Sequence, residues 1–162
     1  MGKGARAESG TLQSDPKSDM GDLDLNSAVG FLFRRADSLA SRLFYELSGQ
    51  TVLSPRQFGV LLSLSRSGPL SQRELSDIIH IDPSTLGEIL RRMSDRGLIG
   101  RRAAREDRRK VTLALTAAGR RTLRTYFPAA IQMQEKLLAP IPLEHQAILL
   151  SSLRLLVDRL DG

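Results

Sequence analysis

The sequence predicts a mainly α fold carrying one small β-hairpin. Three observations predict it: apolar residues recur at steps of three and four through most of the chain, hydroxyl or carboxylate side chains stand where helices should start, and two short alternating segments flank an arginine-rich loop after Gly97.

The first helix is expected from Asn26 or Ser27 to about Leu47. Val29, Leu32, Phe33, Ala36, Leu39, Ala40, Leu43, Phe44 and Leu47 form a wide apolar stripe on about six turns. A second helix opens at Ser54-Pro55-Arg56-Gln57, where a hydroxyl at N-cap and an amide three residues on satisfy backbone groups reciprocally. Its buried side is Phe58, Val60, Leu61, Leu62 and Leu64, and Gly68-Pro69 stops it. Ser71-Gln72-Arg73-Glu74 starts a third helix by the same capping logic, with Leu75, Ile78 and Ile79 pointing inward and an end near His80, where the ring meets the negative end of the helix dipole. Asp82 is the next N-cap with Pro83 at N1. The fourth helix carries Leu86, Ile89, Leu90 and Met93 on one stripe, which leaves Ser84, Thr85, Gly87, Glu88, Arg91 and Arg92 on the exposed surface.

Gly97 suits the residue just past that helix, because glycine accepts the left-handed conformation without a Cβ penalty. Leu98 and Ile99 then alternate into Arg101 and Arg102, and residues 110–115 alternate with Val111, Leu113 and Leu115 on one face, so two strands should flank a loop over 103–109. Thr116 caps a helix carrying Leu123, Tyr126, Phe127, Ala130, Ile131, Leu137 and Leu138, which Pro128 should kink and Pro140 and Pro142 should end. A last helix over 143–160 places Leu149, Leu150, Leu153, Leu156, Val157 and Leu160 on one side. This order of elements is that of a winged helix-turn-helix flanked by further helices, and it points to DNA binding.

Charge supports the same conclusion. Residues 91–124 hold twelve Lys or Arg against three acids, net +9, whereas the whole chain is +6 and the remainder therefore −3. Positive charge concentrated beside a helix-turn-helix suits phosphate contact through counterion release. The alternative for a charge run taken alone is a solvated basic face.

Asp107-Arg108-Arg109 followed by Val111, Leu113, Leu115-Thr116 and Gly119 resembles the D-x-R, L-T, G wing signature of the MarR family of bacterial regulators. The resemblance covers residues 54–119 by motif and the flanking helical regions more loosely. It implies that Arg109 enters the minor groove, that Asp107 orients the wing arginines, and that Arg108 and Lys110 touch phosphate, with Arg102 on the same hairpin. Asp107 also suits a simple turn former. The resemblance further implies that Ser84, Thr85, Glu88, Arg91 and Arg92 face the major groove and that Ser71 and Gln72 touch phosphate. Glu88 is acidic where many relatives are polar or basic; it either accepts from a cytosine N4 or holds Arg91 or Arg92.

Terminal helices this apolar are hard to bury within one small protomer, which predicts a two-fold homodimer, as in the family, reading two half-sites of a pseudo-palindromic operator. The resemblance implies a repressor released by a small aromatic carboxylate or phenol. Arg34 or Arg35 with Phe31, Phe44, Tyr45 and Phe58 offers a cation and aromatic walls; ordinary core packing is the other account of those aromatics. The run Asp82-Pro-Ser-Thr-Leu-Gly-Glu resembles the branch of the family that regulates breakdown of aromatic and nicotinate-like acids.

The expected organisation is a flexible arm over 1–24 and a single domain over 25–162, with the winged core at 54–116 and dimerisation helices at 26–48 and 117–160. No apolar run approaches the ~20 residues needed to span a membrane, and no signal-peptide pattern is present, so a cytoplasmic protein is expected. The chain has no cysteine, which excludes thiol redox sensing and thiolate zinc sites. His80 and His145 have no metal-ligand spacing, so neither metal nor cofactor is expected. No nucleophile elbow, P-loop or paired catalytic carboxylates is present, so an enzyme is not expected. The alternative function is an architectural or protein-docking winged helix that ignores effectors.

Overall fold

The computed structural model describes residues 24–49, 53–103 and 111–160. Contacts divide the chain into two units between Asp37 and Ser38. In the first, the Asp24 carboxylate accepts from the backbone and side-chain nitrogens of Asn26 (3.0 and 3.1 Å), and the Asp24 carbonyl accepts from the Ser27 and Ala28 amides. This turn occupies the positions where the sequence suggested a helix start. The helix α1 (Val29–Ser48) therefore begins two to three residues later than expected. Val29, Phe31, Leu32 and Phe33 are exposed.

The second unit holds the core. After α1 come α2 (Pro55–Ser67), α3 (Gln72–Ile79), α4 (Pro83–Asp95), β1 (Ile99–Ala103), β2 (Val111–Leu115), α5 (Ala117–Leu138) and α6 (Leu143–Leu160). The expected caps form. Ser54 and Ser71 each accept from the backbone three residues on, while Gln57 and Glu74 return the bond to the cap amides, at 3.1 and 2.7 Å. Thr116 Oγ1 accepts from the Gly119 amide (3.0 Å) and lies 2.6 Å from the Gly97 carbonyl oxygen, joining the start of α5 to the end of α4.

Helix α4 ends in a Schellman motif. Gly97 takes φ +66°, its amide donates to Ser94 O (2.8 Å), and the Leu98 amide donates to Met93 O (2.9 Å). Leu98 thus belongs to the cap, and the first strand begins at Ile99. The strands pair antiparallel with Ile99 opposite Leu115 and Arg102 opposite Thr112. Leu70 adds a bridge to Leu113, with mutual backbone bonds of 3.1 and 2.7 Å, which the sequence reading did not anticipate.

Leu53, Val60, Leu61, Leu64, Leu75, Leu86, Leu90, Met93, Leu98, Ile99, Leu113, Leu115, Leu123 and Tyr126 are core residues, with α2 central among α3, α5 and β2. Gly119 sits where α5 crosses the end of the α4 cap, and a Cβ there would overlap the Leu98 carbonyl oxygen. This close backbone approach is the physical reason for the glycine of the wing signature.

Several expected core positions are not buried in one chain. Ile78 is exposed because α3 is two turns long and turns only Leu75 fully inward; Val111 is exposed because β2 is covered only toward its C-terminal end. Phe127 and Ile131 are exposed on α5, and the stripe of α1 buries only Phe44. Helix α5 continues unbroken through Pro128. Helix α6 buries no residue at all, and Ile148, Leu155, Leu156, Val157 and Leu160 lie open. It is tied to the end of α5 by Gln146 Nε2, which donates to Leu138 O (3.2 Å) and Ile141 O (3.0 Å).

Candidate nucleic-acid interface

The site is built on the entry to α4. Helix α3 stops at His80, which adopts a left-handed conformation (φ +48°), and the Ser76 hydroxyl donates to Ile81 O (2.7 Å) across the turn. Asp82 then caps α4. Its Oδ1 accepts from the Thr85 amide (2.9 Å) and from the Ser84 hydroxyl (2.6 Å), and these bonds, the Ser84 bond foremost, hold the carboxyl well below the usual carboxylate range. Gln72 Nε2 donates to Pro83 O (3.2 Å), so the first residue of α3 is bound to the first residue of α4. The two helix starts are locked together by local chemistry. Ser84 is exposed and its proton faces Asp82, which leaves the oxygen as an acceptor; Thr85 is half-buried.

One turn further along α4 lies an ionic cluster. Glu88 Oε1 accepts from Arg92 Nη2 (2.7 Å) and Nε (3.1 Å) and from Arg91 Nη2 (3.4 Å), and Arg91 Nη1 donates to Asp95 Oδ2 (3.1 Å). The Arg92 bond, then the charges of Arg92 and Arg91, lower the Glu88 pKa. Of the two roles open to Glu88, the structure shows that of holding the arginines. Asp95 was missed as a partner, although its spacing of four from Arg91 signals the pair. Helix α4 is thereby electrically self-balanced, with two arginines against two carboxylates.

The hairpin differs. Arg101 and Arg102 on β1 are exposed, and Arg102 is placed by the Thr112 hydroxyl, which donates to its carbonyl (3.3 Å). Asp107, Arg108, Arg109 and Lys110 lie outside the described residues. Ser71 is engaged as the α3 cap. The structure thus brings Ser71, Gln72, Ser84, Thr85, Glu88, Arg91 and Arg92 onto the adjoining starts and outer turns of α3 and α4.

The residues suggested for a ligand divide between the two units. Phe31, Arg34 and Arg35 belong to the first. In the second, Phe44 packs on Tyr45 (6.2 Å between centroids), Phe58 (5.5 Å) and Tyr126 (5.9 Å, stacked), with Phe44 and Phe58 buried in the core. Phe44 and Phe58 therefore have a packing role.

The model of the MarR family matches residues 53–111, from just before α2 to the first residue of β2. Over 148 residues the chain is 30% identical to the HTH-type transcriptional repressor NicR of Pseudomonas putida, covering 91% of this chain and 94% of that protein. The chain belongs to the MarR family.

Solved structures share the fold over most of the chain as well. The PcaV transcriptional regulator of Streptomyces coelicolor, in complex with its natural ligand, is 28% identical with a TM-score of 0.78, over 86% of this chain and 98% of that one. Bordetella bronchiseptica BpsR, whose DNA binding is regulated by 6-hydroxynicotinic acid, is 27% identical with a TM-score of 0.78, over 85% and 99%. This MarR protein is a DNA-binding transcriptional regulator, as its relatives are named, and not an enzyme. Among the described residues no helix is long and apolar enough to cross a membrane.

Proposed function

We propose that the protein is a cytoplasmic homodimeric repressor that binds a pseudo-palindromic operator and is released by a small aromatic acid. The observation that carries the operator reading is the capped, outward-facing start of α4 beside a hairpin with exposed arginines. Residues 54–116 would form the DNA-reading module. Ser84, Thr85, Arg91 and Arg92 would face the major groove, and Ser71, Gln72, Arg102, Arg108 and Lys110 the phosphates. Arg109, supported by Asp107, would enter the minor groove.

Homodimer formation is supported by the uncovered apolar face of α6 and the exposed stripe of α1, since a single protomer leaves both in water. Residues 26–48 and 117–160 would interlock, placing the two copies of α4 about one DNA turn apart. The effector class rests on likeness to BpsR, whose DNA binding is regulated by 6-hydroxynicotinic acid. Hydroxynicotinates and hydroxybenzoates are the first compounds to try, with Arg34 or Arg35 as the carboxylate partner and Phe31 as a wall. An effector acts only through unequal affinity for the two spacings of the recognition helices.

The test is titration of the protein onto the intergenic DNA beside its own gene, against random DNA, across salt and with 6-hydroxynicotinic, protocatechuic and salicylic acids. Tight, sequence-dependent binding released by one acid is expected. Weak binding indifferent to sequence and to every acid would replace this reading with an architectural or docking role. Arg109→Ala should lose operator affinity and flatten the salt slope by about 1 without unfolding the dimer; unchanged affinity and slope would remove Arg109 from the interface.

A further inference from the structure

The cluster on α4 is unusual for a surface meant to meet a polyanion such as DNA. Two guanidinium groups, Arg91 and Arg92, share one carboxylate oxygen of Glu88, and Asp95 takes the far side of Arg91. Every member is more than half exposed, with side-chain exposures of 52% for Glu88, 62% for Arg91 and 63% for Arg92. Exposed pairs of this kind are weak and open readily for a better acceptor. A guanine edge, offering two acceptors to one guanidinium in fixed geometry, is such an acceptor. A phosphate is also a strong acceptor, but it is an anion and is repelled by the Glu88 charge, which a neutral base edge is not.

We propose that Glu88 is a specificity-determining positioning residue: by holding Arg91 and Arg92 along their own helix it suppresses sequence-independent attraction to DNA more than it weakens recognition of the operator. The inference rests on the regulator reading above. It explains why the recognition helix is net neutral while the hairpin carries exposed cations. Attraction to any DNA is delegated to the hairpin, and α4 contributes its charge only where base edges compete successfully for the arginines.

The experiment compares wild type, Glu88→Gln and Glu88→Asp on a duplex that wild type selects from a random pool and on an unselected duplex, across a salt series. Glu88→Gln should bind unselected DNA about tenfold more tightly and steepen the salt slope by about 1 to 2, while affinity for the selected duplex changes much less. Glu88→Asp, which keeps the charge, should restore most of the discrimination. A melting curve confirms that the exposed substitution leaves the fold intact. Equal shifts on both duplexes, or none, would overturn the inference while leaving the regulator reading in place. Loss of binding confined to the selected duplex would also overturn it, because Glu88 would then read a base itself. If wild type enriches no duplex, the regulator reading fails and the inference fails with it.

Discussion

Helices α4 and α6 are both amphipathic, yet they stand at opposite ends of burial. Leu86, Leu90 and Met93 of α4 are 0 to 2% exposed, whereas α6 buries nothing and Leu160 is 76% exposed. Helix α4 is packed on α3 and β1 from its own chain; α6 touches its chain mainly where Gln146 grips the end of α5. An apolar stripe therefore states only that a helix needs a partner. In α4 the partner is intramolecular, and the outer face is free to meet DNA. In α6 the partner is proposed to be a second protomer.

Removing α6 should break the contrast most completely. A chain ending at Ile141 is expected to lose self-association in analytical ultracentrifugation and to keep a helical signal from the winged core. A stable dimer of this truncated chain would refute the assembly proposed for α6. Leu86→Ala should cost about 2–5 kcal/mol in denaturant unfolding, because it opens a cavity in a closed core, while Leu156→Ala should barely alter protomer stability and should instead raise the dimer dissociation constant. Equal unfolding costs for the two would mean that α6 is covered within its own chain.

Gly119→Ala tests the corner between them, where α5 leaves the core. Its Cβ would meet backbone at Leu98, which cannot swing aside as a side chain can, so a loss of about 1–3 kcal/mol or more is expected in thermal or denaturant unfolding. Free tolerance of alanine would show that the approach of α5 to the α4 cap relaxes easily.

The smallest effect concerns pH. The lowered pKa of Glu88 means that its ion pairs contribute above the ordinary carboxylate range and are lost only as pH falls through the lowered folded value. The difference in melting temperature between wild type and Glu88→Gln should stay constant through neutral and mildly acid pH and shrink only in strongly acid solution. Shrinkage near neutrality would show that another group controls the cluster.

The legible parts of the fold were those whose chemistry closes within a few residues. Ser54, Ser71, Asp82 and Thr116 cap as expected because donor and acceptor lie two or three positions apart, and Gly97 ends α4 for an equally local reason. The Glu88–Arg92 pair on α4 was legible for the same reason, since its spacing is fixed by one helix, and the Arg91–Asp95 pair, missed in the sequence, carries the same spacing. Contacts across elements were not legible. The bridge from Leu70 to Leu113 and the bond from Gln72 to Pro83 join positions that no periodicity relates.

The starts of α2, α3, α4 and α5, the arginine-bearing hairpin after α4 and the DNA-binding helix-turn-helix were all legible in the chain alone, because caps, glycines and charge density act over one or two turns. Which apolar side chains the protomer covers depends instead on packing between distant elements. Ile78, Val111 and Phe127 share the spacing of core residues and remain exposed, while Gly119 is required by a backbone from another element. Burial is a property of two surfaces, and a one-dimensional pattern specifies only one of them.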